Sequence, residues 1–310
     1  MTGRISPVSD LGFKKSLASP ENKDVLQGLI GDFFGVWPAL DDITITSPYS
    51  IKAYQELLKQ DNGTEQVVAK LRQTIKDVSA DFKVAGFSAE AQISKSIYFS
   101  KRSIYYACDS FCANYNKPGE MERDYDGAFL LYSSLKPVYH VNIIGYPHFV
   151  GDDDALRIFK LYDPVRNKSF GVDYLNIAYF ELTKNNVESA NLRHWWAYFK
   201  TGEAPDNAPE YIRKASRILD KANLTKEERD VINQMEKAEE IYKETIYTAR
   251  LEGEKIGEAK GMEIGEAKGE KEKKLAILDV ARNLLQMGMP VEQVAIATKL
   301  TTDEVRKLMQ

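Results

Sequence analysis

Hydrophobic residues in the first 200 positions follow two spacings, one typical of strands and one typical of helices. Alternation or short apolar runs predict strands at residues 43–45, 136–146, 156–162 and 176–181. Helical spacing predicts helices at residues 97–115 and 191–200, and another that begins at Ser19-Pro20 and ends at Gly35. The apolar side of residues 97–115 is expected to carry Ile97, Ile104, Tyr105, Cys108 and Phe111. Together these elements predict an α/β fold, a mixed sheet with helices on both faces.

Residues 74–93 predict a β-hairpin whose turn is Ala85-Gly86, because glycine tolerates the positive φ that tight turns need. If the strands pair about that turn, Asp81 lies opposite Glu90. Side chains alternate between the two faces of a sheet, so one face gathers several polar residues. These residues are Asp77, Asp81, Glu90 and Gln92.

Two carboxylates a few ångströms apart on this face form a site for a hard cation such as Mg²⁺. Such an ion can make a nucleophile from water and hold a phosphodiester. The alternative is a polar strand face at the surface, whose acids are solvated and bind nothing.

Five segments of the chain occur in the order and approximate spacing of a known protein family. They are SDLGFKK with SPENKDVL (residues 9–15 and 19–26), Asp77-Val78 with Glu90-Ala91-Gln92, YFSKRSIYY (98–106), KPVYHVNII (136–144) and the glycine-spaced carboxy-terminal tail. In these segments the chain resembles the recombination-promoting nuclease and transposase family, a branch of the PD-(D/E)XK nuclease superfamily. The resemblance implies a restriction-endonuclease-like fold over about the first 200 residues. It also implies a link to recombination or mobile elements.

The resemblance assigns Asp77 and Glu90 as ligands of Mg²⁺, with Mn²⁺ as a substitute, helped by the main-chain carbonyl of Ala91. Gln92 stands where the superfamily usually has lysine, although this branch often has glutamine. It would place the attacking water or hold the scissile phosphate, but it carries no charge to offset the transition state. Residues 48–68 form an insertion relative to the family pattern.

Further candidates are Asp81, Glu21, Asp10, Lys101 and Arg102. Asp81 rivals Asp77 because the simple hairpin places it opposite Glu90. Glu21 is a candidate third acid from the first helix, or a partner for the positive end of that helix. Lys101 and Arg102 could contact phosphate, or form a solvated helix face. Arg102 is the better phosphate ligand because a guanidinium binds in a bidentate manner.

The sequence changes character after about residue 205, where Pro205 and Pro209 indicate a linker. Thr225 and Glu228 predict a capping box at the start of a long helix. Glycines then recur every four residues, at positions 253, 257, 261, 265 and 269. Each costs a helix about 1 kcal/mol against alanine. The stripe therefore favours close-packed, coiled-coil helices in a homo-oligomer, with a charged spacer as the alternative.

Residues 275–310 predict a small module of three short helices, with a capping box at Thr301 and Glu304. The spacing resembles a helix-turn-helix. Its third helix begins with Asp303, where a DNA-reading helix usually carries basic or amide side chains. We therefore divide the chain into a nuclease-like domain (1–204), a linker with the glycine-spaced helix (205–274) and this helical module (275–310).

Composition narrows the function classes. The formal net charge of −4 over 310 residues means that a nucleic-acid partner has to meet a local basic patch. Cys108 and Cys112 have no neighbours that complete a zinc site, and are expected to be reduced thiols. His140 lies inside an apolar strand and is expected to be structural. Because neither a long apolar run nor a signal core occurs, we expect a cytoplasmic protein without a membrane span.

The sequence thus favours a metal-dependent DNA endonuclease that hydrolyses phosphodiesters with Asp77, Glu90 and Gln92. The alternative is a catalytically silent nuclease-like scaffold or an oligomerising interaction protein. A nuclease acting on RNA is a third reading, since these residues do not reveal a preference concerning the 2′-hydroxyl.

Overall fold

A mixed β-sheet forms the centre of the first of two units in the computed structural model of this chain. The structure describes residues 3–60, 78–117, 119–170 and 172–309, so Asp77 lies outside the described residues. The first unit comprises Met1–Glu239 and the second Glu240–Gln310.

The sheet has six described strands in the order β1-β2-β3-β4-β8-β5. Strands β3, β4 and β8 run parallel, and the outer strands pair with them antiparallel. Strands β6 and β7 form a separate short hairpin. The bounds are β1 Thr44–Ile45, β2 Val78–Asp81, β3 Gly86–Gln92, β4 Val138–Ile144, β5 Leu156–Phe159, β6 Tyr162–Asp163, β7 Lys168–Ser169 and β8 Leu175–Glu181.

Helices pack on both faces of this sheet, which confirms the α/β fold expected from the sequence. Their bounds are α1 Asp10–Leu17, α2 Lys23–Phe34, α3 Ile51–Gln60, α4 Phe99–Cys112, α5 Ala190–Thr201, α6 Glu210–Ile218, α7 Lys226–Gln286, α8 Val291–Thr298 and α9 Thr302–Lys307. None of the described helices combines the length and the apolar character that crossing a membrane requires.

The start of the first predicted helix differs from expectation. A separate helix, α1, precedes it and is capped by Ser9, whose Oγ accepts from the amide of Gly12 at 3.2 Å. Ser19 does not cap α2, because its Oγ donates to the carbonyl of Lys15 at 2.7 Å. A 3₁₀ turn, Pro20–Asn22, then leads into α2. The predicted end is confirmed: Gly35 has φ 71°, the left-handed conformation that closes helices.

One face of the sheet packs against α2 through an apolar core. The ring of Phe33 meets that of Phe180 edge-on at 5.1 Å, and Phe34 lies 5.0 Å from Tyr139. The inward side chains of β3, β4 and β8 on this face are buried. They include Phe87, Ala89, Val141, Ile143, Ala178 and Phe180.

Helix α4 covers the other face, and its buried side is not the one expected. Ile97, Ile104 and Tyr105 are exposed. The residues that α4 buries are Phe99, Ser103, Tyr106 and Ala107. The expectation failed because it matched apolar residues of the helix to an apolar sheet. This sheet face instead mixes polar side chains such as Asn142 with apolar ones such as Ile144 and Ile177, and a partly polar helix face packs on it.

The region after residue 204 packs as part of the first unit rather than as a linker. Helix α6 buries Ile212 and Ala215 in the main core, and the start of α7 adds Val231 and Ile232. The boundary between the two units therefore falls after residue 239. The capping box at Thr225 and Glu228 is confirmed, since each side chain accepts from the other residue's amide.

The second unit has a small core of its own where α8 and α9 pack on the end of α7. Its buried residues are Ala281, Val294, Ala295 and Val305. Thr301 and Glu304 form the predicted capping box at the start of α9. The two later helices expected in residues 275–310 are present as α8 and α9, whereas the first is the end of the long helix α7 rather than a separate short helix.

Candidate active site

Glu90 is a buried carboxylate near the end of β3. Only 4% of its surface is exposed, and it pairs in register with Asn142 of β4. Its strand neighbours Ala89 and Ala91 point to the opposite, apolar face. A buried carboxylate costs free energy unless charged or hydrogen-bonding partners compensate. Its partners therefore decide what Glu90 can do.

Arg102, in the first turns of α4, contacts both polar residues at the end of β3. Its Nε lies 3.3 Å from Oε2 of Glu90, and its guanidinium donates to Oε1 of Gln92. The amide nitrogen of Gln92 donates to the carbonyl of Ser94 at 2.5 Å, which turns its oxygen towards Arg102. The guanidinium also lies 5.5 Å from the ring centroid of Phe99. One cation thus holds a carboxylate and an amide side by side.

A buried hydrogen-bond network lies beside this group. Nδ2 of Asn142 donates to the carbonyl of Ala178 at 3.0 Å and to Oγ of Ser103 at 2.8 Å. A carbonyl can only accept, so Oδ1 of Asn142 points the other way, to Nε2 of His140 at 3.1 Å. Nε2 therefore carries a hydrogen, while Nδ1 lies 2.8 Å from Oγ of Ser88. His140 is held on both sides within the core, in keeping with the structural role expected for it.

Two tyrosines lie within electrostatic reach of Glu90. Burial raises the pKa of Tyr179, a hydrogen bond with Ser103 opposes that rise, and the charge of Glu90 adds to it. Burial likewise raises the pKa of Tyr146, with Arg102 lowering it and Glu90 raising it. Both hydroxyls therefore keep their protons at neutral pH and can donate hydrogen bonds.

A serine–histidine contact, which sequence reasoning missed, lies against Tyr179. Nε2 of His148 lies 3.0 Å from Oγ of Ser100, and the imidazole stacks on Tyr179 with 5.7 Å between centroids. Burial lowers the pKa of His148, Glu181 opposes this, and Lys95 lowers it further. The imidazole is therefore neutral at pH 7. No sequence spacing joins residues 48 positions apart, so only the fold reveals the pair.

The hairpin register differs from the expected one, and it separates Asp81 from Glu90. Asp81 pairs with Gly86, because the turn closes two residues earlier than predicted. At this turn the buried rings of Phe82 and Phe87 stack with 6.3 Å between centroids. Asp81 and Glu90 do share a sheet face, but they lie four residues apart along it, about 13 Å. The expectation that they face each other is wrong.

Asp81 instead belongs to a group of ion pairs with lysines. It hydrogen-bonds Lys117, and Nζ of Lys136 lies 3.9 Å away. Glu120 pairs with both lysines. Burial lowers the pKa of Lys117, but hydrogen bonds to Asp81 and Glu120 outweigh it and raise that pKa overall. These charges satisfy one another, which indicates a structural role for Asp81.

Of the two candidate acids near the amino terminus, only Asp10 has carboxylate partners among the described contacts. Glu21 is exposed in the turn before α2, and its carbonyl accepts from Nζ of Lys214 at 2.9 Å. It borders a cavity of about 330 Å³. Asp10 accepts from the hydroxyl of Tyr54 at 2.5 Å and pairs with Lys14 at 2.9 Å.

A metal ion would find oxygen donors at the end of β3. The carboxylate of Glu90, the amide oxygen of Gln92 and the main-chain carbonyl of Ala91 are the donor types that hard cations take. Within the described ranges, no three His, Cys, Asp or Glu residues cluster as a metal site. The second predicted carboxylate, Asp77, lies outside those ranges. These oxygen donors fit a hard cation. Arg102 contacts the same Glu90 carboxylate that such an ion would bind.

The comparison with known families accounts for most of the chain. Residues 7–249 match the model of the family described as PD-(D/E)XK nuclease family transposase. The matched region contains the whole six-stranded sheet together with Glu90, Gln92 and Arg102. No curated protein and no solved structure matches the chain. The sheet and its flanking helices agree with the restriction-endonuclease-like fold, and nucleases of this superfamily generally use divalent metal ions. The match covers well over half of the 310 residues and confirms the resemblance seen in the sequence: this chain belongs to the PD-(D/E)XK nuclease family transposases.

Proposed function

We propose that this protein is a metal-dependent DNA endonuclease linked to recombination or mobile elements, with Glu90 at the centre of its site. The supporting observation is one contact group inside the family-matched region. The buried Glu90 and the nearby Gln92 lie on one strand face, and Arg102 bridges them. A carboxylate, an amide and an arginine so arranged suit a metal ion and a phosphodiester.

We assign the second acid to Asp77. It directly precedes Val78, whose partner in the hairpin is Ala89, the residue directly before Glu90. In the family pattern that the chain resembles, Asp77 is the acid that stands before Val78. The register that excludes Asp81 thus favours Asp77 over its rival.

In this proposal Asp77, Glu90 and the carbonyl of Ala91 hold Mg²⁺, or Mn²⁺ in its place. The ion would supply positive charge that activates water and stabilises the phosphate. Gln92, whose amide oxygen is already oriented, would place the attacking water. The side chain of Arg102 is about one third exposed, so its guanidinium can reach a phosphate oxygen while still touching Glu90.

Plasmid nicking in Mg²⁺, in Mn²⁺ and in EDTA tests the assignment. Glu90→Gln and Asp77→Ala should each lower cleavage by about 100-fold or more, because charge stabilisation at the reacting phosphate is lost. Asp81→Ala is the matched control: it removes an acid from the same sheet face but outside the site, and should still cleave. Robust cutting by Glu90→Gln would refute the role given to it.

A silent scaffold is the second candidate, favoured by two observations. Arg102 already neutralises Glu90, and the site has a glutamine where the superfamily usually has lysine. If the wild type cuts neither DNA nor RNA in Mg²⁺ or Mn²⁺, the scaffold reading replaces the endonuclease. Cutting of RNA alone would support the third reading.

A further inference from the structure

We propose that residues 93–102, called here the basic segment, hold a DNA strand at the cut, with the ring of Tyr98 stacked on an unstacked base beside the scissile phosphate. The segment joins β3 to the first turns of α4. The inference rests on the proposed function, because it takes the end of β3 as the place of cleavage.

The charge of the basic segment is one-sided. It carries Lys95, Lys101 and Arg102, and no acid occurs from position 93 to position 108. Arg102 is engaged with Glu90, whereas neither Lys95 nor Lys101 forms an ion pair with any described residue. In a chain with a net charge of −4, two such lysines beside the site form a local attraction for phosphate.

The segment also exposes apolar and aromatic surface between these cations. Ile97 is 84% exposed and Tyr98 is 63% exposed. Nζ of Lys101 lies 5.8 Å from the ring centroid of Tyr98. An exposed aromatic ring flanked by lysines is the combination that binds single-stranded nucleic acid, the ring stacking on a base and the cations meeting the backbone.

The base of the segment is firmly anchored, so its exposed residues are presented from a fixed place. Phe99 is fully buried and packs edge-on against Tyr146, His148 and Tyr179. Ser100 adds the hydrogen bond to His148. At the other end, the carbonyl of Ser94 accepts from the amide of Gln92 in the site. A strand lying along the segment would therefore pass next to Glu90 and Gln92.

A second exposed basic and aromatic region differs in its charges. Around the β6–β7 hairpin, Tyr162 and Phe170 are exposed, but Lys160 pairs with Asp173 at 2.5 Å and Arg166 with Asp163 at 2.9 Å. Those cations are already neutralised. Removing two of them changes the total charge of the chain as much as removing Lys95 and Lys101, which makes the hairpin a matched control.

The test is binding of the full chain to fluorescent single-stranded and duplex oligonucleotides in EDTA, measured by anisotropy over a series of salt concentrations. Lys95→Ala with Lys101→Ala should weaken single-strand binding about tenfold and lower the salt slope by about 1.4, which corresponds to two lost phosphate contacts. Lys160→Ala with Arg166→Ala should bind like the wild type. Tyr98→Ala should weaken single-strand binding about tenfold and duplex binding much less, and Tyr98→Phe should restore it.

Equal losses in both double variants, unchanged binding in the Lys95 and Lys101 pair, or equal effects of Tyr98→Ala on both substrates would overturn the inference. So would a wild type that binds no DNA. The nicking assay is independent of these results. Metal-dependent nicking together with normal binding by the variants would refute the basic segment but leave the endonuclease standing. Selective binding losses without any nicking would refute the endonuclease, and with it the place of the basic segment at a cut, but would leave the segment as a surface that binds a DNA strand.

Discussion

The two faces of the central sheet are built from the same three strands but differ in chemistry. Towards α2, the strands present an apolar surface that includes Phe87, Ala89, Val141, Ala178 and Phe180. Towards α4, they present Ser88, Glu90, His140, Asn142 and Tyr179, and these are buried as deeply. One face follows the usual rule for a core, and the other buries polar groups in the middle of a domain.

The difference separates stability from chemistry. Apolar burial contributes about 25 cal/mol per Å², so each apolar side chain that the α2 face buries adds to stability. A buried polar group stabilises little and is costly if its partner is lost. The α4 face therefore requires a dedicated network, with Ser103 and Arg102 supplied by the covering helix. We expect substitutions on the two faces to have different consequences for activity.

The largest effect should come from removing a large ring on either face. Phe180→Ala and Tyr179→Ala truncate neighbouring residues of β8 that point to opposite sides, and each should lower the free energy of unfolding by about 3–5 kcal/mol. Only Tyr179→Ala should also slow cleavage per folded molecule, because its side chain packs beside the site. Urea denaturation and nicking rates measured well below the melting temperature separate the two effects. Equal loss of activity in both variants would show that the two faces do not differ in their importance for cleavage.

A smaller loss should follow from breaking the network at its centre. Asn142→Leu leaves the hydrogen of His140 Nε2 and the hydroxyl of Ser103 without this partner, at about 1–3 kcal/mol for each. Cleavage should fall as well, since Ser103 directly follows Arg102 in α4. Val141→Ala, one residue away on the apolar face, should lower the melting temperature alone. The comparison fails if Val141→Ala reduces cleavage as much as Asn142→Leu does.

How far the sequence predicts these faces depends on the kind of signal. Periodicity located β1, β4, β5 and β8 and the helices α2, α4 and α5, because burial on at least one face imposes a pattern on each element. The sequence also indicated correctly that Asp81 and Glu90 share a face. Side chains alternate between the two faces, so an error in register by an even number of residues leaves each side chain on the same face. The register itself was mispredicted. The turn was assigned to Gly86, but packing of Phe82 against Phe87 closes it earlier.

Side-chain partners were the least predictable part of the site. Polar residues at alternate positions of β4, His140 and Asn142, are a signal in the sequence that could have indicated a polar buried face. The buried side of α4 could not be predicted from its own apolar residues. Asn142 of the sheet hydrogen-bonds Ser103, which is buried, while Ile104 is exposed. Contacts such as Ser100 with His148 arise only when the fold brings a helix and a distant loop together.

A subtler test concerns the departure from the superfamily pattern on the polar face. Gln92→Lys should cleave as well as the wild type or better, because lysine occupies that position in much of the superfamily and adds charge near the phosphate. Nicking rates and calorimetric titration with Mn²⁺ should be measured together. Lost activity with metal binding intact would show that the pocket needs a neutral amide, as the hydrogen bond with Arg102 suggests.

Removing the carboxy-terminal residues after Arg250 should have the smallest effect on the stability and the chemistry of the two sheet faces. Both faces belong to the first unit, and five glycines of α7, at 253, 257, 261, 265 and 269, lie in the second. A Cβ added at any of them would meet nothing within 4 Å among the described residues, so packing within one chain does not require them. Ile256, Met262 and Ile264 are exposed along the same stretch.

We therefore predict that the glycine stripe brings together helices of different subunits, most simply in a dimer. Truncation after Arg250 should leave the melting temperature of the core and its single-strand nicking nearly unchanged. Double-strand cutting should weaken, because it benefits from two sites held together. Light scattering of the full chain and of the truncated chain decides the question. A full chain that is monomeric at micromolar concentration would mean that the stripe is a spacer, and that the polar face of one sheet carries the whole activity.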